Sequence, residues 1–115
     1  MQDFRNLEAW KRAHELVLRV YEESRSLPRD ETFGLTMQLR HGATSIATGI
    51  TAGCGRAVTT EAVADFRKAA DHCSELEYYI QLAKDMALWP PTLCGELIAS
   101  TVDIRDRIFG LSGGF

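Results

Sequence analysis

The sequence predicts an all-α protein, folded as an antiparallel up-down-up-down four-helix bundle. Four segments place apolar or small residues at alternating steps of three and four, the spacing of one buried helix stripe. Proline or glycine separates those segments, and no stretch competes with the two-residue alternation of a strand. Short connections favour helices that run back and forth beside their sequence neighbours. At 115 residues the chain suits one domain, read here as residues 1–111, and the Ser112-Gly113-Gly114 stretch makes 112–115 an expected flexible tail.

The first helix is expected between Leu7 and Leu27, with Trp10, Ala13, Val17, Val20, Ser24 and Leu27 along its seam. Leu16 and Leu18 widen its apolar arc, and Glu15, Arg19 and Glu23 are spaced for ion pairs on the other side. Leu27-Pro28 ends it, because proline restricts the residue before it. The second segment has Leu35, Leu39, Ala43, Ile46 and Ile50 on one face but is rich in glycine and threonine, which are poor helix formers. Those small residues predict a close approach by another helix, and Gly53-Cys54-Gly55 predicts a stop through a left-handed glycine. Thr59 or Thr60 is the expected N-cap of the third helix, whose seam reads Phe66, Ala69, Cys73, Leu76, Ile80, Ala83 and Ala87. Trp89-Pro90-Pro91 breaks it, and Leu97, Thr101, Ile104, Ile108 and Leu111 mark the fourth.

Composition narrows the function. An apolar fraction of 45% and a charged fraction of 25% are ordinary globular values, and no run reaches the roughly 18 apolar residues of a membrane span. The N-terminus carries Asp3, Arg5 and Glu8 and has no leader pattern, so the cytoplasm is the expected compartment. Three cysteines without a Cys-x-x-Cys suit free, buried thiols. The net charge of −3 disfavours bulk attraction to nucleic acid. That charge is uneven: residues 1–56 hold eight Lys/Arg against seven Asp/Glu, whereas 57–115 hold five against nine.

No enzyme signature emerges. The residues three before His14, His41 and His72 are Lys11, Gln38 and Ala69, so the Glu-x-x-His pairs of a di-metal bundle are missing, and neither metal nor cofactor is expected. Gly49 to Arg56 lacks the Lys and Ser/Thr of a phosphate loop and the third glycine of a dinucleotide fingerprint. Cys54 follows a helix C-terminus, where the helix dipole does not favour a thiolate.

Particular residues do resemble a family. Phe4, Leu7, Trp10, Ala13 and His14 open the pattern. Pro28, Glu31, Phe33, Gly34, Leu35, Thr36, Gln38 and Arg40 continue it, followed by Ser45 and Ile46 and by Gly53, Gly55 and Arg56. Ser74-Glu75-Leu76-Glu77 completes it, and over residues 4–87 the order and spacing are similar to the 23S rRNA intervening-sequence proteins. The resemblance implies a small four-helix bundle without established enzymatic activity, assembled as a homopentameric ring. The chain departs from the pattern where Ala47, Gly49 and Ala52 stand for a proline, an asparagine and a glutamate. A related branch assists reverse transcriptases through a strongly basic surface, which this acidic chain lacks.

Two functions follow as expectations. The first is a non-catalytic oligomeric scaffold or interaction module whose main partner is itself, with Tyr78, Tyr79, Leu82, Met86 and Trp89 either completing the core or lining an interface. The alternative is a nucleic-acid accessory protein using Lys11, Arg12, Arg40, His41 and Arg56 as a patch repeated around the ring. Glu77 lies near the apolar face of its helix; it is read either as a solvated edge residue or as a half-buried carboxylate paired to Arg40 or Arg56.

Overall fold

The computed structural model describes residues 3–111 and is all-helical over that range. The expected tail at 112–115 lies outside the described residues. Helix α1 spans Glu8–Glu23, α2 Met37–Cys54, α3 Thr59–Asp85 and α4 Pro91–Leu111. Each helix packs on its sequence neighbour, and α1 closes the circuit against α4. The assembly measures 43 × 22 × 20 Å, an elongated rod one helix bundle thick.

The core is one cluster drawn from all four helices: Leu16 and Val20 from α1, Leu39, Ile46 and Ile50 from α2, Leu76 and Ile80 from α3, and Leu97, Ile104 and Ile108 from α4. Close approach of α2 to α3 explains the glycines. A Cβ on Gly42 would lie 3.4 Å from Leu76, one on Gly49 3.0 Å from Ala69, and one on Gly53 only 2.4 Å from the Phe66 ring. Packing at these contacts offsets the weak helix propensity of the segment. Cross-helix partners run in opposed order: Arg12 pairs with Asp103 and Arg19 with Glu96, and the α2–α3 contacts pass from 42–76 through 49–69 to 53–66.

Several boundaries differ from expectation, each for a local reason. Helix α1 stops at Glu23, because Ser24 and Ser26 hydroxyls donate to the Tyr21 and Glu23 carbonyls in a tightened 3-10 turn before Pro28 is reached. Its seam is shifted in part: Ala13, Val20, Ser24 and Leu27 are buried as expected, joined by Ala9 and Leu16, whereas Trp10 and Val17 are only half-buried and Leu18 faces out. Arg19 turns to Glu96 on α4, not to Glu15 or Glu23. Gly55 caps α2 with ordinary right-handed dihedrals, φ −82 and ψ −7, so no left-handed turn forms, and a Cβ there would lie 3.6 Å from Ala52 O; at Gly53 it is space beside Phe66 that demands a glycine. Val58 precedes α3 without a side-chain cap, and Thr59 is already its first residue. Ala87 has left the α3 seam: it is exposed, with φ 56.

The α3–α4 corner shows why. The amide of Ala87 donates to Lys84 O and that of Leu88 to Ala83 O, the paired bonds of a Schellman helix ending with alanine at the left-handed position. The chain then turns Trp89 inward, 2% exposed, where its indole Nε1 donates to Glu23 O at 3.2 Å. Trp89 is therefore core and closes the last turn of α1. Among Tyr78, Tyr79, Leu82 and Met86, by contrast, Tyr78 and Met86 are exposed and the other two half-buried.

Candidate interaction surface

Several of the signature residues make contacts at turns and between helices. Glu31 accepts the Leu35 amide at 3.2 Å, and Gly34 leaves room for that carboxylate, since a Cβ there would lie 3.1 Å from Glu31 Oε1. Leu35 and Thr36 are then buried, and Gln38 is half-buried at the start of α2. Arg40 donates through Nε to the buried Ser24 hydroxyl at 2.8 Å, and its guanidinium lies over the Tyr21 ring at 4.9 Å. Ser45 Oγ lies 3.4 Å from His41 Nε2. Gly53 and Gly55 shape the end of α2, and Arg56 binds Asp65 at 2.7 Å with Glu61 at 3.8 Å. The Asp65 hydrogen bond, then its charge, hold Arg56 still more firmly protonated than usual.

Glu77 is half-buried and finds neither Arg40 nor Arg56. Its partner is Arg105 of α4, at 3.0 Å, and the same guanidinium nitrogen also donates to Ser74. The reason is geometric: α4 lies on the Glu77 side of α3, whereas Arg40 points to α1 and Arg56 sits beyond the far end of α2. Glu75 is exposed and, among the described residues, reaches only His72, 3.7 Å away.

The thiols are poorly suited to nucleophilic work. Cys54, Cys73 and Cys94 are free and buried, and burial raises the pKa of each, Cys73 to about 12. Among the described residues no three metal-ligating side chains gather. No helix among them is long and apolar enough to cross a membrane.

What the surface offers is a long apolar groove between α1 and α2. Phe4, Trp10, His14 and Val17 line one wall and Thr44, Ala47, Thr48 and Thr51 the other, around about 320 Å³. Trp10 and His14 stack at 4.9 Å with nearly parallel rings, and Phe4 tilts against Trp10 at 5.0 Å. The threonine hydroxyls donate to carbonyls of their own helix, Thr44 to Arg40, Thr48 to Ser45 and Thr51 to Ala47, so the wall presents methyl groups. At the Thr44 end a second recess continues the face, lined by Tyr21, Phe33, Met37, Arg40 and His41. Phe33 is 86% exposed there. Sequence reasoning named Phe33 only as part of the family pattern and missed Tyr21 and Met37. Tyr21 was legible in retrospect, because 10, 14, 17 and 21 are themselves a second helical line beside the buried one.

The proposed nucleic-acid residues are spread over this side and beyond it. Arg12 is held by Glu8 and Asp103, and Arg56 by Asp65 and Glu61. Arg40 and His41 lie together at the Phe33 recess, and Lys11 is exposed on α1. Arg40 and Arg56 are separated by most of α2, roughly 20 Å at 1.5 Å per residue.

Four helices around one core, with signature residues fixing turns and helix contacts, define the protein as a small four-helix bundle. The chain belongs to the 23S rRNA-intervening sequence protein family, whose profile matches residues 5–110. A solved structure with the same fold is a protein of unknown function from the S23 ribosomal protein family of Bacteroides thetaiotaomicron. It is 14% identical, with a TM-score of 0.85, over 91% of this chain and 95% of that one. No curated protein matches the chain.

Proposed function

We propose that this protein is a non-catalytic, self-associating scaffold whose working surface is its apolar flank. The carrying observation is the α1–α2 groove, apolar on both walls and with its hydroxyls already satisfied. Such a surface suits another protein's side chains better than a substrate that must be oriented by hydrogen bonds. The opposed order of cross-helix partners supports an antiparallel up-down-up-down arrangement. A homopentameric ring working in the cytoplasm is the assembly that the family resemblance suggests. Sedimentation velocity at micromolar concentration tests the reading: five times the chain mass is expected, and a monomer overturns it.

Nucleic-acid contact has less support. Two of its five residues, Arg12 and Arg56, already hold two carboxylates each, and a phosphate would have to displace them. The matching experiment is a mobility shift with structured RNA near 50 mM salt, where no retardation is expected.

A further inference from the structure

We infer that the groove between α1 and α2 is filled by the outer ridge of α3 from a second copy of this chain, a head-to-tail contact between two different patches. The inference rests on the self-association reading and names its interface. The ridge is Asp71, Glu75, Tyr78, Leu82 and Met86, spaced by four, three, four and four residues, so the first four lie along one line of α3 and Met86, its C-cap, follows at its end. That line is away from the core seam of Ala69, Cys73, Leu76 and Ile80, although Leu82 also packs in part against the core. Tyr78 is 61% and Met86 48% exposed, with half-buried Leu82 between them.

Charge selects a second copy as the occupant. The ridge begins with two exposed carboxylates: Asp71 has no cationic partner among the described residues, and Glu75 has only His72. On the groove side, Arg40 and His41 line the recess that continues it past Thr44, and exposed Lys11 follows the groove residue Trp10 on α1 with no carboxylate partner among the described residues. The same asymmetry runs through the chain, near neutral up to residue 56 and acidic after it. An aromatic and two long apolar side chains meet an apolar groove while opposite charges meet at the rim, as a specific interface requires. In a head-to-tail contact each copy offers its groove to one neighbour and its ridge to another, so the contact propagates from copy to copy and closes into a ring where the rotation allows.

Complementation tests this. Tyr78→Asp with Met86→Asp spoils the ridge, and Thr48→Glu spoils the groove; all three positions are exposed, so the core is left alone. With helicity and cooperative melting retained, each variant alone should sediment as a monomer. An equimolar mixture should give a dimer, joined by its one intact groove and ridge, and nothing larger. Either variant keeping the wild-type mass, or a mixture that stays monomeric, overturns the inference. Glu75→Lys is the second ridge variant should the aspartates unfold the helix: it should weaken assembly about tenfold, and an unchanged dissociation constant overturns the proposal equally. A monomeric wild-type protein would instead overturn the self-association reading itself.

Discussion

Ala87 holds the left-handed position of a Schellman ending, where glycine is the usual occupant because it has no Cβ to crowd the backbone. Relieving that crowding should outweigh the extra chain entropy of glycine, so Ala87→Gly is expected to stabilise the fold by about 1 kcal/mol. Urea denaturation at fixed protein concentration checks this through a higher midpoint at unchanged slope. The α2 glycines respond in opposite directions. Gly42→Ala adds a methyl at ordinary contact distance from Leu76 and gains roughly 0.5–1 kcal/mol of helix propensity. Gly53→Ala drives a methyl into the Phe66 ring at 2.4 Å, and overpacking of about 1–3 kcal/mol exceeds the same gain. The pair, melted side by side, should move apart; a Gly53→Ala protein as stable as Gly42→Ala would show that Phe66 can swing aside.

Between elements, the ties are few and local. Arg105 joins α4 to α3 through Glu77 and Ser74, Arg40 joins α2 to the end of α1 through Ser24, and Trp89 joins the α3–α4 corner to α1. A double-mutant cycle on Glu77→Gln and Arg105→Met should give a coupling energy of about 0.5–1 kcal/mol, since both side chains keep some solvent contact. The cycle on Glu77→Gln and Arg40→Met should give nothing beyond additivity, and coupling there would restore the pairing inferred from spacing alone. Periodicity made α2, α3 and α4 and their buried faces readable, because a core stripe repeats every three or four residues whatever it packs against. On α1 it placed Ala13, Val20, Ser24 and Leu27 rightly but took Trp10 and Val17 in place of Ala9 and Leu16: Trp10 and Val17 are as apolar as Leu16, and composition cannot say which of two parallel lines faces inward. Ion partners were unreadable for a related reason, since Glu77 chooses by which helix lies beside it, and helix order around a bundle is not a local property.

At the scale of the whole molecule, the surface that matters was half legible. Tyr78 and Met86 stood out as apolar residues away from their helix seam, but the groove they are inferred to fill is made jointly by α1 and α2 and exists only once those helices pack. The core that makes that packing cooperative also carries a pH signature. Cys73 is fully buried, and burial lifts its thiol from 9.0 to about 12, so between those values the unfolded chain releases a proton that the folded one retains. Folding stability contributed by this group is intact below pH 9 and falls as pH rises toward 12, by up to about 1.4 kcal/mol per pH unit. Tyrosines and lysines titrate in the same range, so the informative quantity is a difference. Cys73→Ala removes the thiol, and although it leaves a small void that lowers stability at every pH, its stability should fall less steeply above pH 9 than that of the wild type. Parallel slopes from pH 8 to 10.5 would mean that the thiol reaches solvent before the bundle opens, and that the α3 seam breathes on its own.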